Sequence, residues 1–300
     1  MEKDSVLAGR RALVLRDPAR AADTVAALAS RGASASVCRL IDFELPVGTQ
    51  GLDDSLRMLL AGGFDWLVLT SVNTVRALGL RAVALDLDLE IPATTRVAVV
   101  GEATARALTE LGAPIAFMPV HDHSARGMLA EWDELNGRDA SGTGTPGTQT
   151  VFMPQADIAS ATLREGFAAR GWHVRIEVAY NTVRAPADPD RALRRAAGTG
   201  AGLPDPLLRA DTLMLAPAQL PAAMPGLHAV FFSSPSTVDA FLAAVPEPAA
   251  DLGLVAIGDS TAARLRTAGH PPTAIARFPT PEGMVSAWED SRRAAPHAPT

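Results

Sequence analysis

The stretch VAVVGEATARALTELGAPIAFMP, residues 97–119, returns in altered form as VAIGDSTAARLRTAGHPPTAIARFP, residues 255–279. Each copy holds an apolar run, a Gly, an acidic residue, a Thr-Ala pair, an amphipathic stretch, a Gly, and a second apolar run ending in Phe or Met and Pro. Physically this is strand, tight turn, helix and strand. Gly101 and Gly258 are expected to permit the close turn, and Glu102 and Asp259 lie where a helix N-terminus favours negative charge. Ala105, Leu108 and Leu111 recur at helical spacing until Gly112, as Ala262, Leu265 and Ala268 do before Gly269.

The flanks pair as well. Upstream, WLVLTSVNTVRAL (66–78) answers VFFSSPSTVDAFL (230–242), a strand running into a hydroxyl-rich turn that can cap the next helix. Further upstream, residues 12–40 answer residues 150–178 as strand, helix, Gly stop and strand, and HSARGMLAEW (123–132) answers PEGMVSAWED (281–290) as a closing helix. Strands alternating with helices call for parallel sheets covered on both faces. The expected fold is α/β, with two doubly wound parallel-sheet domains, flavodoxin/Rossmann-like, in an internally duplicated chain.

In order, the pattern predicts a strand at 12–15, a helix at 19–31 and one extended stretch at 34–43. Then come a helix at 52–61, a strand at 65–70, a helix at 73–85, a strand at 97–100, a helix at 102–111, a strand at 115–118 and a helix at 124–135. NGRDASGTGTPGTQ (136–149) reads as a flexible loop, residues 185–228 as a Pro-rich expanded surface connection, and the tail after Asp290 as frayed.

Three hundred residues with 48% hydrophobic composition suit two domains with cores of their own. The single cysteine excludes an internal disulfide and points to a reducing compartment, with Cys38 a buried structural thiol. The charged N-terminus carries no secretory signal or membrane span, so a cytoplasmic protein is expected. A formal charge of −6, with basic doublets only at Arg10-Arg11, Arg194-Arg195 and Arg292-Arg293, argues against nucleic acid.

Doubly wound sheets bind ligands at the carboxyl ends of their strands. Thr70, Ser71 and Asn73 stand at one such end, Gly101 and Thr104 at a second, Ser233, Ser234 and Ser236 at a third, and Gly258 and Thr261 at a fourth. Backbone amides at these helix starts attract anions without a Lys or Arg, and the hydroxyls are helix caps, ligand donors, or both. Such ends in both copies favour a shared polyanionic ligand. The chain has no phosphate loop, no G-x-G-x-x-G fingerprint and no G-x-S-x-G elbow. His121-Asp122-His123 reads as solvated loop rather than metal ligands. No cofactor and no metal are expected.

The ordered set LVLTSVNTV, VAVVGEATARAL, FFSSPSTVDAF and AIGDSTAARL, with EVAYNTVRA between the halves and FPTPEGMV closing, resembles the uroporphyrinogen-III synthase family over nearly the whole chain. MPQAD (153–157) departs from it, standing where the family often has an Arg-Gly pair. The resemblance implies a discontinuous domain of residues 1–36 and 182–300 and an inserted domain of residues 37–181. Extended segments near 33–44 and 173–184 would cross between them as a two-stranded linker, with the substrate in the cleft.

It also implies an activity. Hydroxymethylbilane, a linear tetrapyrrole bearing many carboxylates, loses water from its hydroxymethyl group, and the far pyrrole attacks through a spiro intermediate so that this ring is inverted on closure. Holding the ring ends in contact would be the main task, and a weak acid could assist departure of the hydroxyl. The family has a tyrosine in the Tyr-x-Thr-Val setting of Tyr180, which makes this residue the catalytic candidate. Alternation of Val174, Ile176, Val178 and Tyr180 puts its ring on the apolar face of an extended strand, where it is either a buried aromatic or a donor facing the ligand. The expected protein is a monomer whose partner is the small-molecule substrate. Two other readings stay open: a two-lobed cytosolic binding protein for an anionic small molecule, and a flavodoxin-like pair binding flavin.

Overall fold

The computed structural model describes residues 5–138, 149–193 and 212–294. The first run of elements is β1 (Arg11–Leu15), α1 (Pro18–Ala29), β2 (Ser34–Cys38), β3 (Ile41–Glu44) and α2 (Gln50–Leu60). It continues with β4 (Trp66–Leu69), α3 (Val72–Ala84), β5 (Arg96–Val99), α4 (Glu102–Glu110) and α5 (Ala125–Arg138). The second begins with β6 (Thr150–Ala156), α6 (Thr162–Ala169), β7 (His173–Arg184), β8 (Leu213–Leu215) and the short α7 (Leu220–Ala223). It closes with β9 (Ala229–Phe232), α8 (Pro235–Ala244), β10 (Gly253–Ala256), α9 (Asp259–Thr267), β11 (Ala274–Ile275) and α10 (Pro281–Ala294).

The chain divides into two compact units. One comprises Met1–Asp42, Arg184–Pro186 and Ala196–Thr300, the other Phe43–Val183 and Ala187–Arg195. In the first, the strand order is β11-β10-β9-β1-β2-β8 and every pair is parallel. In the second, the order is β3-β7-β6-β4-β5, parallel from β7 to β5. Strands β4, β9 and β10 are buried at every position. A strand without polar alternation needs a covered sheet on both faces, and each unit supplies two cores.

In the first unit, α1 and α10 contribute Val25, Leu28, Met284 and Trp288 to the cluster on one face. On the other face α8 and α9 contribute Val238, Phe241, Ala262 and Leu265. In the second unit, α2, α3 and α4 bring Leu56, Leu78 and Leu108 to one face. There α5 and α6 bring Met128, Trp132, Leu163 and Phe167 to the other. Trp132 is the hub of this last cluster, 4.6 Å from Trp66, 4.8 Å from Phe117 and 4.9 Å from Phe167 by ring centroids.

Several expectations are corrected. Residues 115–118 do not form a strand; among the described residues their pairing is limited to a bridge between Ala98 and Phe117. Pro114 and Pro119 flank it, and a proline cannot donate to a ladder, so the pairing cannot lengthen. The extended stretch 34–43 is two strands, interrupted at Arg39 and Leu40, where the Arg39 guanidinium turns to Asp42 at 3.1 Å. The chain leaves the first unit within β3, between Asp42 and Phe43, and returns to it within β7, between Val183 and Arg184. Helix α10 continues past Asp290 to Ala294. Helix α5 covers the start of the expected 136–149 loop, and the rest of that loop, 139–148, lies outside the described residues. So does 194–211 of the expanded connection, whose described part adds β8 to the edge of the first sheet.

Gly112 and Gly269 end their helices at φ 78° and 82°, the left-handed conformation that glycine takes without a Cβ penalty.

Candidate functional site

In the second unit the parallel strands β4, β5, β6 and β7 present their carboxyl ends along one edge. Ser71 caps α3 directly after β4, its hydroxyl accepting from the Asn73 N–H at 3.1 Å. Thr70 is exposed, Ser71 half-buried and Asn73 buried. Gly101 caps α4 after β5 without any side-chain contribution, and Glu102 supplies negative charge to the first turn.

Tyr180 reaches this edge from β7 by way of an irregularity. The register of β6 with β7 shifts so that Gln155 faces Val178 while Ala156 faces Tyr180. One extra residue in a strand turns every following side chain to the other face. Val174 and Ile176 therefore pack with Trp132 and Phe167, whereas Ala179 and Tyr180 join Leu69, Val75 and Val99 on the opposite face. This corrects the expectation of one uninterrupted apolar face: Val178, at 40% exposure, stands outside the core and Tyr180 has changed sides.

The change of face brings Tyr180 to the start of α3. Its hydroxyl donates to the Ser71 Oγ at 3.2 Å, and its ring meets Phe43 edge-on at 5.6 Å. Burial raises the phenol above its ordinary value, hydrogen bonds with Ser71 and Asn73 oppose the rise, and the nearby charge of Asp157 adds to it. Asn73 is itself held, its Oδ1 accepting from the Arg76 guanidinium at 3.2 Å. Asp157 accepts the Thr182 N–H at 2.9 Å, tying the end of β6 to β7 just beyond Tyr180. The result is a protonated phenol with fixed partners at the carboxyl edge of a parallel sheet. Phe43 and Asp157 were read only as the ends of the extended stretch 34–43 and of MPQAD, and Arg76 was not singled out; the signals available were the helical i, i+3 spacing of Asn73 and Arg76 and the departure at MPQAD, most of which lies in β6.

The carboxyl edge of the first unit carries a second set. Ser234 caps α8, with the Thr237 side chain closing a capping box, and its hydroxyl lies 3.0 Å from that of Ser236. Ser233 donates to the Leu15 carbonyl at 3.3 Å, and Gly258 caps α9. Thr104 and Thr261 are buried, as Asn73 is, and the Thr261 hydroxyl has no hydrogen-bond partner among the described residues. Their hydroxyls belong to the packed interior. The expectation that Gly101 and Gly258 serve a tight turn is corrected too, since φ values of −148° and 178° are extended backbone open to any residue. A Cβ at either would meet nothing within 4 Å, so the absent side chain leaves open space at the helix start.

Cys38 is buried in the first unit, its thiol pushed up to about 11 by burial, which suits a packing role rather than a nucleophile. Among the described residues no group of His, Cys, Asp and Glu is placed to hold a metal ion. His121, Asp122 and His123 sit in an exposed turn whose first three N–H groups, from Val120 to Asp122, are taken by the Glu131 carboxylate. Among the described residues, no helix is long and apolar enough to cross a membrane.

Fold and site together define an α/β protein of two parallel-sheet units with hydroxyl- and amide-bearing strand ends. The sequence matches the uroporphyrinogen-III synthase HemD family over residues 22–286, and the chain belongs to that family. Its activity is that of a lyase that cyclises a linear tetrapyrrole, a small-molecule substrate, in tetrapyrrole biosynthesis. Among solved structures, the fold is similar to a mutant uroporphyrinogen III synthase from the extreme thermophile Thermus thermophilus, at 19% identity and a TM-score of 0.59, covering 96% of this chain and 100% of that one. Uroporphyrinogen-III synthetase from Helicobacter pylori also matches, at 15% identity and a TM-score of 0.49, covering 92% of this chain and 97% of that one.

Proposed function

We propose that this chain closes hydroxymethylbilane to uroporphyrinogen III with Tyr180 as the proton donor to the departing hydroxyl. The observation that carries the reading is the buried Tyr180 hydroxyl, hydrogen-bonded to Ser71 at the carboxyl edge of the second unit's sheet. A phenol kept neutral by burial can lend a proton as the C–O bond breaks, so that the hydroxyl leaves as water. The remaining pyrrole-stabilised cation is attacked by the far pyrrole. The spiro intermediate breaks one bond and re-forms it with that ring inverted, and the proton released on closure returns to the Tyr180 phenolate, a sequence that asks little of the protein. It needs the far pyrrole held within bonding reach, and that is work for binding contacts.

Those contacts are the strand ends. Thr70, Ser71, Asn73 and the amides following Gly101 receive carboxylates in the second unit, as Ser233, Ser234, Ser236 and the amides following Gly258 do in the first. Thr104 and Thr261 hold these helix starts in place from within. The protein acts as a cytoplasmic monomer without nucleic acid, metal or cofactor. Purified protein incubated with hydroxymethylbilane yields the type III isomer, separated by chromatography from the type I isomer of spontaneous closure. Folded protein that leaves only type I overturns the proposal.

A further inference from the structure

Arg16 directly follows β1, the strand at the centre of the first unit's sheet. Leu15 is level with Phe232 and Val14 with Val37, so Arg16 stands between Ser233 on one side and Arg39 on the other. Ser233 is tied to the same strand end through its bond to the Leu15 carbonyl. Several half-buried arginines are paired: Arg31 with Glu289 at 3.0 Å, Arg81 with Asp53 at 2.7 Å, Arg191 with Glu44 at 2.9 Å, and Arg39, the neighbour of Arg16 across the sheet, with Asp42 at 3.1 Å. Arg16 is half-buried too, yet among the described residues its guanidinium makes no ion pair and no hydrogen bond. The charges that reach it are Arg20, which repels it, and Asp23 and Asp17, which attract it. Asp17 is engaged elsewhere, capping α1 through the Ala19 N–H and lying 3.8 Å from Arg39.

A guanidinium taken partly out of water without an anion, next to a second one, costs the fold free energy. Its planar fork of donors is built for a carboxylate. We propose that Arg16 is a substrate-binding residue whose guanidinium takes a side-chain carboxylate of the linear tetrapyrrole. The inference rests on the synthase reading above and adds to it a cation without an ion-pair partner among the described residues, at the centre of the hydroxyl-bearing edge.

The test uses the full chain and three variants, Arg16→Gln, Arg16→Lys and, as a control on α2, Arg57→Gln. KM and kcat are measured with hydroxymethylbilane, and equilibrium binding is measured with uroporphyrin III, the stable aromatised form of the product. For Arg16→Gln, KM and the uroporphyrin dissociation constant rise about tenfold to a hundredfold, the worth of one charged hydrogen-bonded contact. kcat and the type III outcome stay near wild type, Arg16→Lys recovers part of the affinity, and Arg57→Gln changes nothing. The melting temperature of Arg16→Gln equals or exceeds that of wild type, because a half-buried charge without an ion-pair partner has been removed. Unchanged affinity in Arg16→Gln, or a fall in its melting temperature with kcat and affinity lost together, overturns the proposal. Wild type that forms no type III isomer overturns the synthase reading instead, whatever the variants bind.

Discussion

Tyr180 is the only tyrosine in the chain, so its ionisation can be read without interference from another phenol. Burial lifts it above the ordinary value of 10.0, and the tyrosinate absorbance of the folded protein therefore develops only at a pH above that value. The sign for stability follows. The contribution linked to Tyr180 is intact below the unfolded-state value and is lost as pH rises through the higher folded-state value, so the protein weakens on the alkaline side. A tyrosinate titration with a midpoint at or below that of a free phenol would show that the hydroxyl is not buried against Ser71 and Asn73.

Tyr180→Phe keeps the edge-on contact with Phe43 and removes only the donor. Turnover falls by about tenfold to a thousandfold, within the usual range of general acid help, while the melting temperature at neutral pH hardly moves. Normal turnover in a folded Phe variant returns Tyr180 to the core. The residue type and the neighbouring Thr182 and Val183 were legible in the sequence. The face was not, because period-two counting has no way to register the bulge that separates Val178 from Tyr180.

Among the elements, α5 and α10 show how paired sequence segments meet the same local demand. Gly127 and Gly283 lie in the first turns of these helices, where an added Cβ would run into a backbone carbonyl, that of Asp122 in one case and that of Phe278 in the other. A backbone neighbour cannot rotate away, so Gly283→Ala and Gly127→Ala each cost about 1–3 kcal/mol, read as a lowered urea midpoint. Gly101→Ala and Gly258→Ala, where φ is extended and the space is open, leave the unfolding free energy within about 0.5 kcal/mol of wild type. If all four variants are equally stable, close approach is not the reason for glycine in α5 and α10. The helices were readable because their apolar spacing is set by the core they cover. The pairing of residues 115–118 was not, because the apolar run advertises a strand while the flanking prolines and the packing of Phe117 on Trp132 decide how little of it forms.

For the whole molecule, the two sheets differ in how much of the chain each needs. β1 lies between β2 and β9, so the first unit's sheet has its centre at the N-terminal end of the sequence and its neighbour more than two hundred residues away. The second unit's sheet draws only on β3 to β7, and both of its clusters are filled from residues 43–193. The segment after β7 closes it: Leu193 donates to the Phe43 carbonyl at 2.9 Å, and Arg191 and the Asp188 N–H hold the buried Glu44 carboxylate, each at 2.9 Å. A fragment of residues 41–195 should therefore unfold cooperatively, with a single urea transition by fluorescence and by circular dichroism. Its Tyr180 should titrate as in the full chain, since Ser71, Asn73, Phe43 and Asp157 are all retained. A fragment of residues 1–150 lacks β9 beside β1 and nearly all of β6 beside β4, so each of its central strands has an open edge and an uncovered apolar face. It should unfold without a cooperative transition and bind a hydrophobic dye. If the longer cut, 41–195, melts without cooperativity while 1–150 folds, the unit boundaries are wrong. If both fold, β1 and β2 do not require the C-terminal strands.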